Sequence, residues 1–164
     1  METTIRPLVE SDIPGHHRCL DVVAPERRYL AFLEAPPLDD ADKYIRGQLG
    51  KGAPIFVAMA DGSLVGWCDV SPLSIPVMTH RGTLGMGVHP NFRGQGIGRR
   101  LIEATLAAAP AVGVEVVSLR VRTDNVAAIA LYLSVGFVVE GTQRRALRID
   151  ACYHDTHLMA LQLV

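Results

Sequence analysis

The chemistry-bearing part of this chain is the run Gly87-Val88-His89-Pro90-Asn91-Phe92-Arg93-Gly94-Gln95-Gly96-Ile97-Gly98-Arg99. Glycines at 94, 96 and 98 alternate between two arginines. Without a Cβ, such residues let ligand oxygens approach backbone N–H groups closely. Ile97 opens a stretch with helical spacing, and a helix start adds unpaired N–H donors and a positive dipole end. Arg93 and Arg99 can add positive charge. The segment is built to hold a pyrophosphate. A Walker loop requires Gly-Lys followed by Ser or Thr, and here Gly98 is followed by Arg99-Arg100. A dinucleotide fingerprint requires G-x-G-x-x-G directly after its strand, and the spacing here is G-x-G-x-G.

The surrounding elements must position this loop. Thr4–Leu8 reads as an opening strand, and Ser11 as the cap of a helix through Leu20. Asp39 and Asp40 begin a second helix that reaches Leu49. Pro54–Ala60 and Leu64–Val70 form a hairpin through Asp61-Gly62. Ser71–Thr79, with Pro72 and Pro76, reads as a loop. Arg81–Val88 is a strand whose Gly82, Gly85 and Gly87 mark a bulge or a close approach by another group. Gly96–Ala109 is a helix, Glu115–Val121 a strand, and Asn125–Ser134 a helix capped by Asp124 or Thr123. Phe137–Val139 and Thr156–Leu163 supply the last strands. The expectation is an α/β fold in one domain over residues 1–164: a mixed sheet of about seven strands flanked by about four helices.

Composition narrows the function classes. The 164 residues are 49% hydrophobic, enough for a sizeable core, and a net charge of −1 gives no bulk field to recruit nucleic acid. No apolar run has the length of a membrane span, and the N-terminal segment has no signal-like apolar core. Cys19, Cys68 and Cys152 are odd in number and far apart, which argues for a reduced, cytoplasmic protein without a disulfide framework. His154-Asp155-Thr156-His157 has no evident third or fourth ligand partner, so no metal is expected. His16-His17 reads as a solvated helix face, and Arg144, Arg145 and Arg148 as a solvated basic hairpin.

With these residues in view, the chain resembles the GNAT superfamily of acyl-CoA-dependent N-acyltransferases. Arg93-Gly94-Gln95-Gly96-Ile97-Gly98 fits the family's R/Q-x-x-G-x-G/A pattern. Asn125 to Tyr132, followed by Gly136-Phe137, looks like its second coenzyme-contacting helix. The resemblance implies acetyl-CoA as acyl donor. The backbone of Met86, Gly87 and Val88 would pair with the pantetheine arm and polarise the thioester. The span Arg93, Gly94, Gln95, Gly96, Ile97, Gly98, Arg99 would hold the pyrophosphate, Asn125 would contact the arm, and Tyr132 would protonate the leaving thiolate. The tail from Glu140 to Asp155 is similar to members that act on free amino acids or other small amines.

An amine with pKa near 10.4 is neutral in only about one molecule in 2,500 at pH 7, a cost of roughly 4.6 kcal/mol, so a base is needed. Ribosomal-protein relatives carry a glutamate in L-E-V-R, but this chain has Leu119-Arg120-Val121-Arg122, and arginine is no base at neutral pH. Thr83, near another family acid position, does not ionise. Asp69 and His80 remain the candidates. Acceptor contacts are expected from residues 26–32, 71–80 and 153–155. A small primary amine is the favoured acceptor, with no nucleic-acid or membrane partner. Protein or peptide N-termini and a non-catalytic acyl-CoA sensor are the alternatives, and a homodimer stays open.

Overall fold

The computed structural model describes residues 2–27, 30 and 33–164. A seven-stranded sheet runs in the order β1-β2-β3-β4-β5-β7-β6. Its strands are β1 (Thr3–Pro7), β2 (Ile55–Ala60), β3 (Ser63–Pro72), β4 (Arg81–Val88), β5 (Val116–Arg122), β6 (Val138–Ile149) and β7 (Cys152–Gln162). The helices are α1 (Ile13–Val23), α2 (Leu38–Gly50), α3 (Ile97–Ala108) and α4 (Val126–Ser134). Every strand pair is antiparallel except β4–β5, the pair joined through α3. A parallel neighbour requires such a crossover.

The sheet separates two apolar cores. Leu101, Ile102 and Leu106 of α3 pack with Cys68, Val70, Val117 and Met159 on one face. Ile13, Leu20 and Val23 of α1 and Ile45 of α2 pack with Ile55, Val57 and Trp67 on the other. Strand alternation explains β2, where Ile55 and Val57 face one core and Ala58 and Ala60 the other. A register shift between Ala58 and Met59, against Gly66 and Leu64, lets Leu64 and Trp67 share the α1/α2 face. Asp69, two residues beyond Trp67, follows onto the same side.

The glycines of β4 have a purpose in this packing. Gly87 pairs with Trp67 and Gly85 with Asp69. A Cβ on Gly87 would lie 2.3 Å from the Trp67 ring, and one on Gly82 would lie 2.5 Å from Val70 Cγ1. The close approach expected at these glycines is therefore made by β3 side chains.

Several local expectations change. β6 and β7 form a hairpin far longer than the short strands read from sequence, because Gly141–Ile149 pairs across to Cys152–Leu158 despite its exposed, charged composition. Helix α1 starts at Ile13, and Asp12 rather than Ser11 occupies its cap. Asp12 instead accepts both guanidinium nitrogens of Arg6, at 2.6 and 2.9 Å. Asn125 caps α4 itself, its Oδ1 accepting from Ala128 N at 3.3 Å. His16 is buried at 6% exposure, edge-on to Trp67 at 5.0 Å, not solvated. His17 Nε2 bonds Pro36 O at 2.7 Å.

Candidate active site

The site begins where β4 and β5 part. Their parallel ladder has three pairs, Arg81–Val116, Gly82–Val117 and Thr83–Ser118, and then ends. Beyond Thr83, β4 keeps β3 on one side and leaves its other edge without a strand. Backbone groups on such an edge need partners. A cavity of about 430 Å³ opens there, bounded by β4, the start of α3 and the start of α4.

The turn into α3 is shaped for a ligand. Gly94 and Gly96 have φ of +72° and +76°, a left-handed conformation that side-chain-bearing residues adopt at a cost of roughly 1–2 kcal/mol. A Cβ at either would project into open space. The first helical hydrogen bond runs from Arg100 N to Gly96 O at 3.2 Å. The amides of Ile97, Gly98 and Arg99 precede it and lack intrahelical acceptors. These donors fit a pyrophosphate.

The cavity brings together nearly all the residues singled out for the cofactor. Met86, Gly87, Val88, Arg93, Gly94, Gly96, Ile97, Gly98, Arg99, Asn125 and Tyr132 line it, and Gln95 does not. Gln95 is exposed and donates to Asn91 O at 3.4 Å. The two flanking arginines have protein partners as well. Arg93 donates to Val88 O at 2.9 Å and to both Glu26 oxygens at 3.1 and 2.6 Å. Its charge is thereby matched, and it ties the loop to the turn Ala24–Glu26 that follows α1. Arg99 reaches Ser134 Oγ at 2.6 Å and Glu103 at 3.3 Å, linking α3 to α4.

Tyr132 is 8% exposed and packs its ring 5.8 Å from Phe137. Among the described residues its hydroxyl has no hydrogen-bond partner. Burial pushes its pKa well above the ordinary phenol value, so it stays protonated.

A second cavity of about 490 Å³ lies on the α1/α2 side, and Met86 lines both. Asp69 opens onto this second space beside Thr83 and Gly85. Ser71 Oγ donates to Asp69 Oδ2 at 3.3 Å, and Tyr44 OH lies 3.0 Å from Ser71 Oγ. Burial pushes the Asp69 carboxyl up to about 7, with the Ser71 hydrogen bond pulling weakly the other way. Only one of the two base candidates reaches the cavities. His80 is exposed before β4 and lines neither; its carbonyl accepts from Glu115 N and Val116 N. Of the expected acceptor segments, Leu30 and Ser71 line the second cavity, residues 153–155 do not, and positions 28, 29, 31 and 32 lie outside the described residues. The contribution of α2 through Tyr44 was missed, since nothing in the sequence aims that residue at β3.

A family model described as Acetyltransferase (GNAT) family matches residues 21–137. The chain belongs to the GNAT family. One relative of this GNAT chain is the N-alpha-acetyltransferase RimI of Mycobacterium tuberculosis, 44% identical over 93 residues. That match covers 57% of each chain, so the GNAT chain spans little more than half of that relative's length. The L-methionine sulfoximine/L-methionine sulfone acetyltransferase of Pseudomonas paraeruginosa is 27% identical over 99% of this chain and 96% of its own. Among solved structures, the GNAT superfamily phosphinothricin acetyltransferase of Sinorhizobium meliloti, in complex with acetyl-CoA, has a TM-score of 0.91 at 20% identity, covering 99% of this chain and 89% of that one. Acetyl-CoA as cosubstrate fits the GNAT family. Among the described residues no helix is long and apolar enough to cross a membrane, and no three His, Cys, Asp or Glu side chains are grouped to share a metal ion.

Proposed function

We propose that this chain transfers an acetyl group from acetyl-CoA to the primary amine of a small molecule, by direct attack on the thioester. One observation carries the reading: Met86 borders both cavities, with Tyr132 on one side and Asp69 on the other. Acetyl-CoA supplies an activated carbonyl with a thiolate leaving group. The amides of Ile97, Gly98 and Arg99 bind phosphate oxygens, and Asn125 meets the pantetheine arm. An N–H within Met86–Val88 donates to the thioester oxygen, a contribution of roughly 3–4 kcal/mol where charge develops. Asp69 takes a proton from the acceptor ammonium. With its pKa near neutrality it is part-ionised and ready as a base. As the C–N bond forms and the C–S bond breaks, Tyr132 gives its proton to sulfur, the tyrosinate is reprotonated by the second proton that leaves the new amide nitrogen, and Asp69 passes the first proton on to solvent. Thiols are moderately acidic, with pKa about 8.5, so this help is useful but modest.

Free Cys19, Cys68 and Cys152 fit a reducing, cytoplasmic setting. The test is thiol release from acetyl-CoA across a panel of small amines and peptides. Release with small amines is expected. Release with peptides alone would favour an N-terminal acetyltransferase, the reading that likeness to RimI supports. Saturable coenzyme binding with no release would point to a sensor.

A further inference from the structure

The second cavity has a one-sided charge. Asp69 and the exposed Asp40 of α2 line it, and among the described residues on its walls there is no lysine or arginine. His16 is its remaining nitrogen-bearing titratable group. Its ring is held against Trp67, and its Nδ1 is buried without a hydrogen-bond partner. Burial, and then the charge of adjacent His17, bring its pKa down to about 4, so it is neutral near pH 7 and cannot balance an anion. Leu20, Ile45, Leu84 and Met86 give the walls an apolar character.

Such a space treats the two ends of an amino acid differently. An ammonium finds the Asp69 carboxylate, with Ser71 and Tyr44 behind it. A carboxylate entering with it would lose water, meet like charge and find no lysine or arginine among the described residues of these walls. Resting on the acetyl-transfer reading above, we propose that the acceptor is a primary amine with an apolar body and no carboxylate, such as an alkyl or arylalkyl amine, and not a free α-amino acid.

Matched acceptors test this directly. Phenethylamine, phenylalanine methyl ester and phenylalanine differ mainly in the charge beside the amine, as isoamylamine and leucine do. With acetyl-CoA saturating, kcat/KM for thiol release is expected to be at least about ten-fold higher for the amines and the ester than for the free acids. A smaller ratio, or preference for the acids, overturns the proposal and leaves acetyl transfer standing. Release with none of them, while coenzyme A still binds, removes the transfer reading and this inference together.

Discussion

Asp69 faces Gly85 across the β3–β4 ladder, and a Cβ built on Gly85 would stand 3.3 Å from Asp69 Oδ1. That glycine makes room for the carboxylate. Gly85→Ala should displace Asp69 by a few tenths of an ångström and lower kcat/KM for the amine about ten-fold, since small misplacements of a reacting group are costly. Coenzyme affinity by calorimetry should stay near the parent value. Unchanged turnover would show that Asp69 tolerates displacement and is not the base.

The raised pKa of Asp69 predicts a pH signature. Activity should climb through an inflection near pH 7 as the carboxyl ionises, and Asp69→Asn should lose both the inflection and most turnover. Ser71→Ala removes a hydrogen bond that lowers this pKa, so its inflection should move to higher pH.

The same group predicts a stability effect of reversed sign. Its folded pKa of about 7 lies above its ordinary 3.8, so between those values the folded chain binds more protons than the unfolded one. Stability should therefore fall as pH rises through that window. Asp69→Asn should melt higher than the parent at pH 8, by about 2–4 °C per kcal/mol relieved, and closer to it at pH 4. An equal Tm difference at both pH values would contradict the shift.

Tyr132→Phe keeps the ring against Phe137 and removes the proton donor. Turnover should fall on the order of 10²–10³-fold with acetyl-CoA affinity nearly unchanged. A parallel loss of both would identify Tyr132 as a packing residue.

Gly96→Glu combines a left-handed backbone with an anion at the helix start. Coenzyme binding should disappear from calorimetry while the far-ultraviolet circular dichroism stays native. Full affinity in that variant would rule out the phosphate pose.

Much of the donor side was legible because its signals are local. Gly94, Gly96 and Gly98 precede a periodic apolar run, and that run alone predicts the helix and its exposed amides. The less visible features depend on partners distant in sequence. Arg93 reads as a positive charge beside the glycines, and only the fold brings Glu26, 67 positions earlier, to its guanidinium. His16 looks solvated because His17 follows it, yet the Trp67 face decides its burial. Thr142 to Ile149 lacks strand alternation, and its pairing with Cys152–His157 follows only from the hairpin as a whole. Gly85 and Gly87 were visible as unusual, but what approached them was not, because cross-strand register sets it.

The three-pair β4–β5 ladder divides the sheet into two slabs, β1–β4 and β5–β7, stitched by a short seam. A molecule lodged where the seam opens acts as a rivet. It touches β4 of one slab and α4, the helix that joins β5 to β6 of the other, at the place where the fold's own stitching runs out. Amide exchange in β4 and β5 should slow together when coenzyme A is added, and the two slabs should then come apart as one.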